Sequence, residues 1–171
     1  MRVHIRPPRP SDAAAYAEAV VRSAEHIGAW NPVDPDGFPE LLRNQGPSLQ
    51  TFLVIDDEDD GIVGKCNVTN IVRARFRNGV LGYDAYLPYA GTGRMTEGMR
   101  QVVDRCFGEL PDGLALHRLE INIQPDNVRS IALAKRLGFR REGFSPRMLY
   151  INDAWRDHER FALTAEEWPG R

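Results

Sequence analysis

PYAGTGRMTEGM, residues 88–99, decides how the chain is read, because its glycine pair, Gly91 and Gly93, sits between a β-rich run and an amphipathic helix. Glycines let a backbone approach a ligand closely. The first turn of the helix that follows aims free N–H groups at an anion that the helix dipole also favours. G-x-G alone reads either as a phosphate loop or as a plain strand-to-helix turn. Before it, GVLGYDAYL (79–87) has the pattern of a strand. After it, Met95, Met99, Val102, Val103 and Phe107 fall on one helix face and belong to a core.

Outward from the loop, VHIR (3–6) is a short strand stopped by a proline cluster, with Ser11 capping a helix that runs to about Arg22. A second short helix is expected over 35–44, in an irregular, exposed stretch of the kind that often faces substrate. TFLVI (51–55) and GIVGKCNVTNIV (61–72) form a hairpin across DDEDD, read as a solvated acidic turn. LHRLEINIQ (116–124) alternates, with Leu119, Ile121 and Ile123 on one face and Arg118, Glu120 and Asn122 on the other. Pro125, Asp126 and Asn127 end that strand and cap a helix carrying Ile131, Leu133, Ala134 and Leu137, which Gly138 closes. Two final strands, 139–151 and 155–163, join at Asn152 and Asp153. The fold class is α/β (α+β), a mixed sheet richer in hairpins than a doubly wound fold. No acidic ribose-binding residue follows a full G-x-G-x-x-G, which disfavours a dinucleotide fold.

The 171 residues suit a single domain spanning 1–171, and 42% hydrophobic with 27% charged residues describes a soluble globular chain. No apolar run reaches bilayer length, and MRVHIRPPRP lacks the apolar stretch of a signal peptide, so a cytoplasmic address is expected, with no membrane partner. Cys66 and Cys106 have neither disulfide nor zinc spacing; both are expected to be buried thiols, and no metal is expected. A net charge of −2 argues against direct nucleic-acid binding and for a small or peptide ligand.

The glycine loop, QPDNVRSIALAKRLGFRREG (124–143) and YINDAWRDHERFAL (150–163) together closely resemble the GNAT superfamily of acetyl-CoA-dependent N-acetyltransferases. Within it, the bacterial ribosomal-protein alanine N-acetyltransferase (RimJ/RimL-like) group is the nearest match. Glu25, His26, Trp30 and Pro32 look like that group's E-H-x-x-x-W-x-P pattern. The resemblance implies a GNAT fold: a mixed, mostly antiparallel sheet flanked by helices and splayed between its fourth and fifth strands, 79–87 and 116–124, with the pantetheine arm of acetyl-CoA in the gap. By similarity, N–H groups near Tyr86 and Leu87 bond pantetheine. Backbone amides of Gly91, Thr92, Gly93, Arg94, Met95 and Thr96 receive the pyrophosphate. Pro88 stands where the superfamily pattern has Gln or Arg, so one side-chain contact is missing while the backbone donors remain.

Acetyl transfer to an amine needs a neutral nucleophile, a donor for the developing oxyanion and a proton source for the leaving thiolate. Ser130 matches the hydroxyl proposed in this family to serve the thiolate, or else it makes an ordinary helix-end hydrogen bond. Asn127 resembles a residue that contacts the CoA arm, or else it only caps its helix. Asp84 and Glu120, on the strands flanking the gap, are the candidate general bases, and alternation does not decide which way they point. Some relatives place a glutamate before the tyrosine of the penultimate strand; this chain has Leu149 before Tyr150. Arg129, Lys135, Arg136, Arg140, Arg141 and Arg147 form a basic stretch suited to the 3′-phosphate of CoA or to a solvated face. Trp155, Arg156, Asp157 and His158 alternate, two inward and two outward, so Asp157 and His158 form no catalytic dyad. His26 and Trp30 line an amine-binding mouth or seal the core. The expected activity is N-acetylation, by direct attack on acetyl-CoA, of a protein or peptide N-terminal α-amine. The alternatives are a small amine acceptor or a silent CoA-binding module, and the chain is a monomer or homodimer.

Overall fold

The computed structural model describes residues 2–169. Seven strands make one sheet: β1 (Val3–Arg6), β2 (Gln50–Asp56), β3 (Ile62–Val72), β4 (Asn78–Ala85), β5 (Arg118–Ile123), β6 (Arg140–Ile151) and β7 (Ala154–Thr164). They lie in the order β1-β2-β3-β4-β5-β7-β6. Every neighbouring pair is antiparallel except β4 and β5, which run parallel. Both expected hairpins form. The β6–β7 turn uses Asn152 and Asp153 at φ 49° and 57°, the positive values that a two-residue type I′ turn requires.

Helices cover both faces. On one, α1 (Ala13–Arg22), α2 (Ala24–Ile27) and α3 (Phe38–Arg43) bring Tyr16, Val20, Ile27 and Phe38 against Leu53, Ile55 and Tyr86. On the other, α4 (Arg94–Phe107) buries Met95, Met99, Val102, Val103 and Phe107 against Phe52, Val54, Val68 and Leu81, and Ala134 of α5 (Val128–Arg136) joins the same core. Cys66 and Cys106 are free and buried there, and burial pushes both thiols up. Among the described residues no helix is long and apolar enough to cross a membrane.

Several local expectations change. Ser11 caps nothing: it lies inside a 3-10 turn, Pro10–Asp12, where the Asp12 carboxylate takes the Arg9 N–H and the Arg6 guanidinium, each at 2.7 Å. The second helix is shorter than 35–44, since Gly37 and Pro39 delay its start. The DDEDD turn is not merely solvated. Asp56 is fully buried and bonds Arg94, Asp57 meets His4 at 2.7 Å, and Asp59 accepts the Tyr89 hydroxyl at 2.7–2.8 Å. Of Trp155 to His158 only His158 is buried, its ring nitrogen 3.0 Å from the Arg156 carbonyl, and burial lowers its pKa. Asp157 instead accepts the Arg147 N–H at 2.7 Å, where the β6–β7 register shifts.

Close packing of α4 on β2 is testable at Gly98, where an added Cβ would lie 2.4–3.0 Å from three Val54 side-chain atoms. Val54 is β-branched and cannot turn aside. Gly98→Val is therefore expected to cost about 3 kcal/mol, as overpacking does, read as a melting temperature lowered by several degrees. An unchanged melting temperature would contradict this packing.

Candidate active site

β4 and β5 pair at only three positions, Asn78↔Arg118, Gly79↔Leu119 and Val80↔Glu120. β4 then continues to Ala85 and β5 to Ile123 with no pairing between them, so the sheet opens. Each strand is held by its other neighbour: β5 by β7 along all six residues, β4 by β3 up to Gly64↔Ala85. The opening leads into a cleft of about 770 Å³, lined by β4, the loop after it, the starts of α4 and α5, and α2 with the turn that follows.

The loop places glycine where the geometry demands it. Gly91 and Gly93 have φ of 84° and 90°, and Gly93 is the residue before the first turn of α4. Among the described residues the N–H groups of Gly91, Gly93, Arg94, Met95 and Thr96 meet no protein acceptor, as expected for a helix start. Three of the expected donors are otherwise engaged. Thr92 turns both its N–H and its hydroxyl to the Tyr89 carbonyl, at 3.1 and 2.6 Å. The Tyr86 N–H bonds the Val63 carbonyl at 2.8 Å, and the Leu87 N–H bonds Ser23 Oγ at 2.9 Å. Backbone groups alternate along an antiparallel strand, so with Tyr86 turned to β3 it is Ala85 whose N–H and carbonyl face the opening. The Arg94 guanidinium points to Asp56 and Glu58, leaving only its backbone at the loop.

Successive β4 residues serve opposite faces. Tyr83 stands opposite Cys66 on the α4 side, and its phenol oxygen lies 2.7 Å from Ser130 Oγ in the first turn of α5. Burial pushes the Tyr83 phenol well above its ordinary pKa, so it stays a neutral donor. The Ser130 N–H is capped by Asn127 Oδ1 at 3.2 Å, which leaves the Ser130 hydroxyl free for Tyr83 and the cleft. Asn127 thus caps its helix and lines the cleft as well. Tyr83 carried no signal in the sequence beyond its place before Asp84.

Asp84 stands opposite Lys65 on the α1 side and is 3% exposed. Its Oδ1 accepts Asn31 Nδ2 at 2.8 Å, and its Oδ2 lies 3.2 Å from Lys65 Nζ. Burial works against the Lys65 ammonium, yet Asp84 and Tyr16 outweigh it and the lysine pKa is raised. Glu120, the other candidate base, sits elsewhere. It lies opposite Val80 where the strands are still paired, and it bonds Arg118 at 2.9 Å with Arg160 3.6 Å away, outside the cleft lining.

His26 and Trp30 are half-buried and line the cleft rather than sealing the core, with Trp30 beyond the end of α2. Their segment is tied down at three points: His26 Nδ1 lies 3.2 Å from the Arg129 guanidinium, Gln124 donates to the Trp30 carbonyl at 3.2 Å, and Asn152 donates to the Gly28 carbonyl at 2.9 Å. The basic stretch divides. Arg129 and Arg136 line the cleft, whereas Arg140 and Arg141 bond Glu142, Glu167 and Glu159 on the surface.

Residues 2–140 match the family model described as an acetyltransferase (GNAT) domain. The chain is 31% identical over 183 aligned positions to the [ribosomal protein uS5]-alanine N-acetyltransferase of Escherichia coli, covering 99% of this chain and 92% of that one. Among solved structures, Mycobacterium smegmatis RimJ in complex with CoA-disulfide superposes with a TM-score of 0.85 at 30% identity, over 96% of this chain and 83% of that one. The ribosomal-protein-S5-alanine acetyltransferase of Vibrio fischeri follows at TM-score 0.82 and 28% identity, over 96% and 93% of the two chains. The family model and these near full-length likenesses agree: the chain belongs to the GNAT family of acetyl-CoA-dependent N-acetyltransferases.

Proposed function

We propose that the protein transfers the acetyl group of acetyl-CoA to the N-terminal α-amine of a protein, in the manner of the ribosomal-protein alanine acetyltransferases it resembles. The observation that carries this reading is that the free N–H groups at the start of α4, the Ser130–Tyr83 hydroxyl pair and Asp84 all belong to the lining of one cleft. The reading is supported by the Escherichia coli relative, whose name gives an alanine of uS5 as acceptor.

Pyrophosphate would lie on the amides of Gly91, Gly93 and Arg94 to Thr96, where donors and helix dipole act together. Pantetheine amides would meet the Ala85 backbone in the opening. Arg136, which lines the cleft with no acidic partner among the described residues, would serve the 3′-phosphate. The amine enters neutral and attacks the thioester carbon. As its nitrogen becomes cationic, its proton passes to Asp84. The C–S bond breaks and the thiolate takes the Ser130 proton, which Tyr83 and solvent replace. An α-amine with pKa near 8 costs roughly 1 kcal/mol to deprotonate at pH 7, against about 4–5 for lysine. Leu149, in place of the glutamate of some relatives, is therefore tolerable.

Gly93→Val should weaken acetyl-CoA binding at least about tenfold in calorimetric titration, because valine is strained at φ 90° and fills the space the phosphates need. Unchanged affinity in a folded variant would remove the loop from the site.

Ser130→Ala should lower kcat by about 10²–10⁴, the range for a lost proton donor, with KM for acetyl-CoA within a few-fold. A kcat within about twofold, under ~0.5 kcal/mol of barrier, would assign the thiolate's proton to another group.

A peptide beginning with alanine or serine should be acetylated at its N-terminus, and one with a blocked N-terminus and a free lysine should not. The rate should rise with pH and level off near the α-amine pKa of about 8. Mass spectrometry decides: acetyl-lysine from the blocked peptide alone, or acetylation confined to small amines, would overturn the α-amine reading.

A further inference from the structure

Lys65 is one of only two lysines in a chain that otherwise uses arginine for its cations. It is 6% exposed and stands directly opposite Asp84. Its Nζ is 3.2 Å from Asp84 Oδ2 and 3.2 Å from Tyr16 Oη, and lies 5.6 Å from the centre of the Tyr16 ring. Asp84 lines the large cleft. Lys65 instead lines a second cavity, of about 310 Å³, between α1, α3 and the sheet, and Asn31 borders both. The ammonium therefore lies on the second-cavity side of a residue that also lines the large cleft. Although the ion pair is close, Asp84 Oδ2 makes no hydrogen bond among the described residues.

A buried ion pair is a poor way to stabilise a fold, since desolvating two charges offsets most of their attraction and an apolar pair often serves as well. We infer that Lys65 is a positioning residue for acetyl transfer: it keeps the Asp84 carboxylate charged and aimed at the acceptor nitrogen, an inference that rests on Asp84 receiving the amine's proton. Lys65 keeps its own protons throughout. When N–C bond formation makes the acceptor nitrogen cationic, that nitrogen's proton moves to Asp84, which returns it to water after product leaves. A compact point charge suits this role better than a planar guanidinium fork, which would engage both carboxylate oxygens. Other titratable or charged groups around the pair are Tyr16 on α1, Cys66 beside Lys65 on β3, Tyr86 just past the end of β4, and His26 and Arg129 across the cleft, with Asp34 and Glu40 around the second cavity.

The test is the slope of log kcat/KM for an alanine-initiated peptide between about pH 5 and 9, where a buried carboxylate without its cation would titrate. In the wild type the acceptor amine alone should set a slope of one below its pKa. Lys65→Met should steepen the lower part of the profile to two, because a second group must now lose a proton. The loss relative to wild type should grow as the pH falls and shrink to within about threefold at pH 9, because a carboxylate that has lost its cation is harder to ionise. Lys65→Arg, which restores a cation, should return the slope to one. Acetyl-CoA affinity should be unaltered in both, because Lys65 does not line the cleft. Tyr16→Phe removes only the hydroxyl behind Lys65 and should steepen the profile in the same direction, to a smaller degree. It carries the test should Lys65→Met not fold. Slopes of one with kcat/KM within twofold of wild type in these variants would overturn the inference, as would a Lys65→Met loss equal at every pH that arginine does not repair. Asp84→Asn separates the two readings. A fall of about 10² or more beside a neutral Lys65→Met would sink the lysine's role alone, whereas an unaffected Asp84→Asn would sink the carboxylate's role and the lysine's with it.

Discussion

The parting of β4 from β5 after three paired residues is the constraint on which the site depends. It is enforced from outside the gap. β7 holds β5 along its length, while β3, Ser23 Oγ and the Arg22 guanidinium hold the end of β4 through the Tyr86 N–H, the Leu87 N–H and the Leu87 carbonyl. Backbone groups that face the opening are then left without strand partners, and a buried peptide group without a partner is costly. A ligand that carries amides of its own relieves that cost by taking the place of the missing strand. In the proposed mode of binding, the ligand's charged end would follow the same line, because β4 leads straight into the glycine loop and the start of α4.

That loop is fastened by charge as well as by covalent continuity. Asp56 and Glu58, at and just past the end of β2, take the Arg94 guanidinium, and Asp59 takes the Tyr89 hydroxyl. Hydrogen bonding to Tyr89 holds the Asp59 carboxyl below its usual range, and burial with that same bond pushes the Tyr89 phenol up to about 12. Both shifts favour one arrangement, a charged acceptor and a neutral donor. The acidic turn therefore holds the loop's side chains outward while its backbone N–H groups remain available on the cleft side. Engaging Arg94 in this way leaves only backbone donors at the proposed phosphate site, with a geometry set by the two positive-φ glycines.

Much of this was legible in the residues because it rests on period and punctuation. Leu119, Ile121 and Ile123 alternate into the core as their spacing requires, the α4 stripe is buried throughout, Gly138 adopts φ 89° after α5, and Asn152 and Asp153 make the expected turn. What was not legible depends on partners distant in sequence. Asp84 and Glu120 look equivalent on paper, and they differ only in lying beyond or before the point where the strands part. Which of Ala85, Tyr86 and Leu87 presents its backbone to the gap depends on strand parity, which is set by the bond from the Tyr86 N–H to the distant Val63 carbonyl and not by the alternation of side chains. The DDEDD turn was misread for a related reason. Runs of acid usually face water, and only the arrival of Arg94, His4 and Tyr89 from elsewhere in the chain gives these carboxylates partners.

Tyr83 and Asp84 are consecutive strand residues, so their side chains leave opposite faces of the sheet. In a closed sheet such a pair could not serve one reaction, since a layer of paired backbone would divide them. Here the layer is missing beyond Val80, and both residues line the same cleft. One face then offers the hydroxyl pair of Tyr83 and Ser130 beside the α4 start, and the other offers Asp84 with Asn31 beside Trp30. A thioester held from the first face and an amine arriving from the second would meet in the opening, with the proposed proton donor for the thiolate and the proposed proton acceptor for the amine on opposite sides of the reacting carbon. Direct transfer between the two substrates is the route that this proposed placement favours. A nucleophile supplied by the protein would have to stand between them, in the space that the parted strands leave for the substrates themselves.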